Sequence, residues 1–180
     1  VEKDHVEGMN GAFFITGAES TGKSTLTHEL AARFGAVAVD EFARTYLENL
    51  KRPYTYQDLL IIAQGQLDAI RTHETAGLVF YDTDLINIKV WFDEVFKKCP
   101  DWLKAAVRLY GHGTYLVCQP DIPWVSDPLR ENPERRDYLT GRYETELDQA
   151  GFEWHRVSGT GPDRLASAVG IVSRLLNAKN

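Results

Sequence analysis

The sequence predicts an α/β protein built in three α/β/α layers around a five-stranded parallel sheet. Three observations carry that expectation. Short apolar runs alternate with segments of helical apolar spacing along the chain, the order that parallel strands joined by helical crossovers produce. A glycine-rich turn separates the first such strand from the first such helix. No repeat or shift in composition divides the chain, and 180 residues suit one domain with one ample core.

The elements follow in order. Ala12–Thr16 is an apolar run ending at Gly17, as a buried strand would. From Ser24 to about Phe34, Leu26, Leu30, Ala31 and Phe34 recur at helical spacing, and Gly35 ends the helix. Ala36–Val39 reads as a second strand and Glu41–Leu50 as a helix closed by Lys51-Arg52-Pro53. Thr55 to about Thr75 reads as a long helix with Leu59, Ile62, Ala63, Leu67 and Ile70 on its buried side. Leu78–Tyr81 is a third strand running into Asp82, followed by helices at about 84–98 and 101–109. Thr114–Cys118 is the fourth strand. A proline-rich loop from Gln119 to Pro133 leads to a polar helix from Glu134 to about Ala150. Glu153–Val157 is the fifth strand, and Pro162 opens a last helix to about Asn177. Ligands of such sheets sit beyond the carboxyl ends of the strands. That directs attention to 17–24, 40–46, 82–84, 119–130 and 158–160.

Gly17-Ala18-Glu19-Ser20-Thr21-Gly22-Lys23-Ser24, with Thr25 next, matches G-x-x-x-x-G-K-[ST] without a gap. The glycines let the backbone curl so that its N–H groups converge on phosphate oxygens. The helix starting there adds unpaired N–H groups and the positive end of its dipole. Lys23 is placed to reach the β- and γ-phosphates of ATP or GTP, and Ser24 to offer its hydroxyl to Mg²⁺. The pattern does occur by chance, but strand before and helix after mark it as the phosphate loop of a P-loop NTPase fold. Asp82 stands where the second magnesium-side carboxylate belongs, directly or through water. The alternative is a turn aspartate capping the next helix, a role that also suits Asp84.

Composition narrows the partners. Apolar residues at 43% and charged residues at 26% give a folded, soluble chain. A formal charge of −6 argues against duplex nucleic acid, which is held by surplus Lys and Arg. No apolar run approaches the roughly 20 residues that span a bilayer, so no membrane partner is expected. Cys99 and Cys118 lack metal-ligand spacing and imply no disulfide framework, which fits a reducing cytoplasm. The only methionine is Met9. Residues 1–8 are therefore expected to be a tag or extra N-terminal segment, and 9–180 the domain.

No Asn/Thr-Lys-x-Asp stands late in the chain to read guanine, and 180 residues leave little room for the helical lid domain of a motor ATPase. A small-molecule kinase needs a carboxylate beside the phosphate loop to take the acceptor's proton. Asp40-Glu41 follows the second strand in that position. It also needs a mobile arginine segment to cover the phosphates, and Arg130, Arg135 and Arg136 lie on the proline-rich loop or at the start of its helix. Taken alone, Asp40, Glu41 and Arg44 would read as a helix start with an ion pair on a solvated face. The arginines run against the dipole preference at a helix start, a conflict that a bound anion resolves. The candidates are Lys23, Glu41, Asp82 and Arg130 for catalysis, and Gly17–Thr25 with Arg135 for nucleotide. Asp40, Arg44, Asp84, Trp124 and Asp127 are the candidates for the small-molecule acceptor.

These residues together resemble the ribosylnicotinamide kinase domain of bacterial NadR-type proteins, from Ala12 to Leu176. The resemblance rests on Gly17–Leu26, on Glu41 with Arg44 and Tyr46, on Asp82–Asp84, on Asp121–Arg130 (DIPWVSDPLR), and on Arg135 with Tyr138. It implies ATP-dependent phosphorylation of the 5′-hydroxyl of nicotinamide riboside, with Glu41 and Asp82 near acceptor and magnesium, Asp127 ordering the loop or ligand, and Arg130 closing on the phosphates. The adenylyltransferase and DNA-binding domains that such proteins often carry do not fit here. The places of the two aromatics that stack on the nicotinamide ring are taken by Asp40 and Leu67; Tyr46, Tyr54, Tyr56 or Trp124 are the available substitutes. The rival reading is a non-catalytic ATP or GTP switch.

Overall fold

The structure, a computed structural model, describes residues 11–178; the expectation for residues 1–8 lies outside the described residues. The strands are β1 (Gly11–Thr16), β2 (Val37–Val39), β3 (Leu78–Asp82), β4 (Thr114–Cys118) and β5 (Glu153–Val157). The helices are α1 (Lys23–Phe34), α2 (Phe42–Asn49), α3 (Tyr56–Thr72), α4 (Leu85–Trp91), α5 (Asp101–Tyr110), α6 (Arg136–Ala150) and α7 (Gly161–Asn177). All strand pairs are parallel, in the order β2-β3-β1-β4-β5. The expected three-layer fold is the one found. β1 is central, between β3 and β4; its own crossover leads to the edge strand β2 while the connection from β3 passes to β4 on the other side, so the switch point lies at the carboxyl ends of β1 and β3.

Alternation along each strand splits the core in two. Phe14, Val79, Tyr81, Tyr115 and Val117 face one layer with α3, α4 and α5. Phe13, Ile15, Phe80, Leu116 and Cys118 face the other with α1 and α7. Every residue of β3 and β4 is buried, which explains their apolar runs Leu78–Tyr81 and Tyr115–Cys118. Phe14 stands in register with Tyr81 on one side and Tyr115 on the other, and stacks on both at 5.0 and 4.8 Å between centroids. This aromatic row ties the three strands that carry the site. Each such pair adds about 0.5–1.5 kcal/mol beyond its buried area.

Boundaries differ where tertiary contacts decide them. The helix expected at about 84–98 is α4 continued by a π-helical turn, Phe92–Phe96, and ended by Lys97 at φ 53°. The widened turn lets Phe92 and Phe96 both meet the edge of Tyr56, at 5.1 and 5.3 Å. α6 starts at Arg136 rather than Glu134, because Arg135 N–H closes a turn on Asn132 and the Arg135 side chain is drawn to Glu94. α3 begins with a capping box between Thr55 and Asp58. The buried Asp58 carboxylate also accepts from both terminal nitrogens of Arg52 (2.7 and 2.9 Å) and from the Tyr46 hydroxyl (2.8 Å), pinning the loop between α2 and α3.

Phe14→Ala is expected to lower unfolding stability by about 3–5 kcal/mol in urea titrations, because it opens a cavity between two stacked rings. Asp58 supplies a pH test. Arg52, then Thr55, hold its pKa far below the usual carboxylate range. Its contribution is therefore complete above the ordinary aspartate value of 3.8 and is lost as pH falls through the depressed folded value. The stability gap between the native chain and Asp58→Asn should be full at pH 7 and shrink below about pH 4.

Candidate functional site

The loop after β1 turns on backbone that side chains resist. Gly17 has φ 137°, and a Cβ there would lie 2.7 Å from the Cys118 carbonyl. Ser20 is left-handed at φ 55°, and Gly22 at φ 78° forms the N-cap of α1. α1 has no side-chain cap, so its first-turn amides are available to an anion. The loop is braced from within: the Thr21 hydroxyl and Lys23 Nζ both donate to the Ala18 carbonyl, at 2.8 and 3.0 Å. Asn87 on α4 donates to the Gly17 carbonyl at 3.3 Å.

The charge of Lys23 acts on two carboxylates. Asp82, at the end of β3, is 3% exposed and takes a hydrogen bond from the Ser24 hydroxyl. Burial raises its pKa, against the pull of Lys23. Glu41 is the N-cap residue of α2. Burial raises its pKa too; Lys23 lowers it, Asp82 raises it, and a hydrogen bond from the Thr83 hydroxyl lowers it. Lys23, Ser24, Glu41 and Asp82, four of the residues singled out in the sequence, thus form one cluster. Ser24 and Asp82 offer two hard oxygen donors beside a phosphate loop. That number suits Mg²⁺, which keeps several waters and shares its remaining positions with phosphate oxygens.

Other candidates fall elsewhere. Asp84 is completely buried and caps α4, its Oδ1 accepting from the Asn87 amide at 2.9 Å, while its Oδ2 has no hydrogen-bond partner among the described residues. Asp40 is exposed and paired with His28 at 2.8 Å, on the α1 side. Leu67 is in the core. Tyr56 packs on Phe92 and Phe96, and Tyr54 meets Trp91 and donates to Glu131 at 3.2 Å. Tyr46 stacks on Phe42, and both line a groove of about 540 Å³ that Asp40, Glu41, Thr45 and Leu50 also line.

The proline-rich loop lies across the phosphate loop. Glu19 accepts from the backbone amides of Glu131 and Asn132 at 3.0 and 2.8 Å. Ser20 Oγ accepts from Val125 N–H at 2.9 Å and from Arg130 at 3.4 Å. Asp127 closes a turn on Leu129 N–H and pairs with Arg44 at 2.9 Å, joining the loop to α2. Arg135 does not reach the phosphate loop: Glu94 holds it at 2.6 Å and Tyr138 lies under its guanidinium. Arg136 takes its place, donating to the Ser20 and Ile122 carbonyls at 3.2 and 2.9 Å, with Trp124 packed against it.

Arg164 was not singled out in the sequence. It is buried in the first turn of α7 and donates to the carbonyls of Thr21 (2.8 Å), Gly159 (2.8 Å) and Gln119 (3.0 Å), while pairing with Asp121. It therefore gathers the loops after β1, β4 and β5. Its signal was the one that marked the arginine cluster: a cation in a helix's first turn, against the dipole.

The AAA domain family matches residues 12–164. The NadR trifunctional NAD biosynthesis/regulator protein of Salmonella typhimurium is 25% identical over 122 residues, 64% of this chain and 30% of that protein. Its Escherichia coli counterpart is 23% identical over 172 residues, 90% of this chain and 42% of that protein. The chain thus spans less than half the length of these curated relatives. A NadR structure in complex with NR aligns with TM-score 0.81 and 24% identity, over 94% of this chain and 52% of that one. Thymidylate kinase from Ehrlichia chaffeensis aligns with TM-score 0.63 and 12% identity, over 93% and 99%. These structural likenesses are likenesses of fold.

Arg164→Ala removes a buried cation from three carbonyls and a carboxylate. The expected loss is about 1–3 kcal/mol of stability, read in urea titrations, because buried carbonyls lose a charged donor while the exposed Asp121 stays solvated. Nucleotide affinity should fall as well, because the Thr21 carbonyl loses its anchor.

Proposed function

The chain belongs to the AAA domain family, and from that premise we propose that it is an ATP-dependent kinase whose acceptor is the 5′-hydroxyl of nicotinamide riboside or a related nucleoside. The observation that carries the reading is the meeting of Glu41 with Lys23 and Asp82 at the phosphate loop. A second carboxylate there suits a kinase, which needs one to orient the acceptor hydroxyl and take its proton.

In this reading the amides of the Gly17–Ser24 loop and Lys23 hold the phosphates of ATP. The acceptor oxygen attacks the γ-phosphorus, the bond from that phosphorus to the β–γ bridging oxygen breaks, ADP leaves, and the hydroxyl proton passes to Glu41. Arg130 and Arg136 stand over the loop to offset charge that spreads to the transferred group. Ser24 and Asp82 would hold Mg²⁺, which neutralises phosphate charge when bound. Phe42 and Tyr46, in the groove beside Glu41, offer the acceptor ring an aromatic wall in place of the positions taken by Asp40 and Leu67.

The partners proposed are thus nucleotide and a small acceptor, without nucleic acid, in the cytoplasm. Among the described residues no helix is long and apolar enough to cross a membrane, and Cys99 and Cys118 are buried thiols.

The test is ADP release from Mg-ATP across a panel of nucleosides and small alcohols. Nicotinamide riboside should stimulate release, and Lys23→Ala should abolish the stimulation. Stimulation by another compound alone refutes the acceptor. Tight nucleotide binding with no stimulated turnover refutes the kinase. Glu41 adds a pH signature, since only its ionised form accepts the proton. Burial raises its pKa, so kcat/KM should climb with pH through a midpoint above the ordinary glutamate value of 4.5. Glu41→Gln should cost about 10²–10⁴-fold in rate.

A further inference from the structure

Gln66 is 1% exposed in the middle of α3, between the core residues Ala63 and Leu67. A buried carboxamide in an apolar stripe is unfavourable unless both its ends are bonded. Here both ends are. Its Oε1 accepts from Phe42 N–H at 3.1 Å. Its Nε2 faces the carbonyls of Thr83 and Asp82 at 3.3 and 3.5 Å. The orientation follows from chemistry, because the Phe42 amide can only donate and the two carbonyls can only accept.

Each partner borders a residue of the site. Phe42 opens α2, its N–H is one of the orphan donors of a helix start, and Glu41 supplies no side-chain cap. Gln66 therefore caps α2 from another helix. Thr83 follows Asp82 and is left-handed at φ 71°, an uncommon conformation for a β-branched residue. Its N–H stays in the sheet, bonded to the Ile15 carbonyl at 3.0 Å, while its carbonyl turns out toward Gln66. Its hydroxyl lies 3.5 Å from Asp82 Oδ1 and also bonds Glu41.

A second feature makes the reach possible. A Cβ at Gly65 would lie 2.5 Å from the Phe42 ring. Only glycine lets α3 approach the start of α2 closely enough for the next side chain to bond the Phe42 amide.

We propose that Gln66 is a positioning residue: its carboxamide joins the start of α2 to the end of β3, so that Glu41 and Asp82 are held as one unit at fixed separation. The inference rests on the proposed roles of Glu41 and Asp82 in phosphoryl transfer. Gln66 touches neither nucleotide nor acceptor. Its loss spoils the geometry of the transfer step and leaves the phosphate loop intact.

The experiment compares the full chain with Gln66→Met, Gly65→Ala and Leu67→Ala. Gln66→Met keeps the length and removes both polar ends. Gly65→Ala keeps the carboxamide and pushes α2 away. Leu67→Ala is a core deletion one residue along that touches no bond of the link. Melting temperature, affinity for a fluorescent ATP analogue, and kcat and KM for ATP and acceptor are measured well below each melting point. Gln66→Met and Gly65→Ala should each lose tenfold or more in kcat, with ATP affinity and KM for ATP within about threefold of the native chain; KM for the acceptor should hold in Gln66→Met and rise in Gly65→Ala, whose Cβ displaces the Phe42 ring. Leu67→Ala should lose melting temperature with kcat nearly unchanged. If Gln66→Met does not fold, Gly65→Ala carries the comparison with the same expectation in kcat. The proposal is overturned if kcat stays within twofold in the folded linking variant, or if Leu67→Ala loses kcat equally. Native protein that no acceptor stimulates defeats the kinase reading and this inference with it; an active native chain with an unaffected linking variant defeats this inference alone.

Discussion

The end of β1 runs so close to the end of β4 that no side chain fits between them. At Gly17 a Cβ would press on the Cys118 carbonyl and, at 3.2 Å, on the Cys118 Cβ. The approach is forced from below. Phe14 stacks on Tyr81 and Tyr115 in register, and this sets β1 tightly between β3 and β4. The chain must therefore leave β1 through a residue free to adopt φ near 137°. It then curls back over the sheet before α1 can start. The phosphate loop is the consequence, and the loops after β3 and β4 are brought to its rim by the same packing. Arg164 completes the arrangement from beneath by bonding the loops after β1, β4 and β5.

Charge balance at that rim is uneven, and the imbalance has a direction. Glu41 and Asp82 are both raised by burial, each raised further by a neighbouring carboxylate, and Lys23 is the cation that lowers both. One lysine against a buried and a half-buried carboxylate leaves negative charge that the site itself does not balance. What relieves it chemically is another cation among the oxygens or a proton delivered to one carboxylate. The first is what Ser24 and Asp82 are suited to receive, and the second is the task assigned to Glu41. The strain at Thr83 fits the same account. A left-handed threonine is tolerated when its surroundings over-determine it, and here its amide, carbonyl and hydroxyl are all engaged.

Much of this could be read before the fold was seen, for reasons that differ by element. Periodicity is a local property, so β4 and β5 have the expected limits and the other strands fall within a residue of theirs. The phosphate loop is local too. What resisted reading depends on partners distant in sequence. A two-residue shift in the start of α6 exchanged Arg135 for Arg136, because Glu94, 41 residues away, captures the first. Asp84 and Asp82 look alike in Asp-Thr-Asp, but one carboxyl lies at a helix start and the other at a strand end facing Lys23. Gln66 carries no sequence signal, since a glutamine in a helix reads as surface until the helix beside it is known.

The proline-rich loop is held by groups that the phosphate loop itself supplies, and this sets what its movement can mean. Glu19 and Ser20 are the anchors, bonded to the backbone at 125, 131 and 132 and to Arg130. These bonds belong to the donor side of the cleft. Arg44–Asp127 and Tyr54–Glu131 tie the same loop to α2 and to the segment before α3, on the acceptor side. Exposed pairs of this kind are each worth roughly 0–1 kcal/mol, so none alone holds the loop down. Their number and their spread over both sides give a cover that opens at small cost and closes as one piece. In the proposed phosphoryl transfer such a cover would exclude water and so favour the acceptor hydroxyl over hydrolysis.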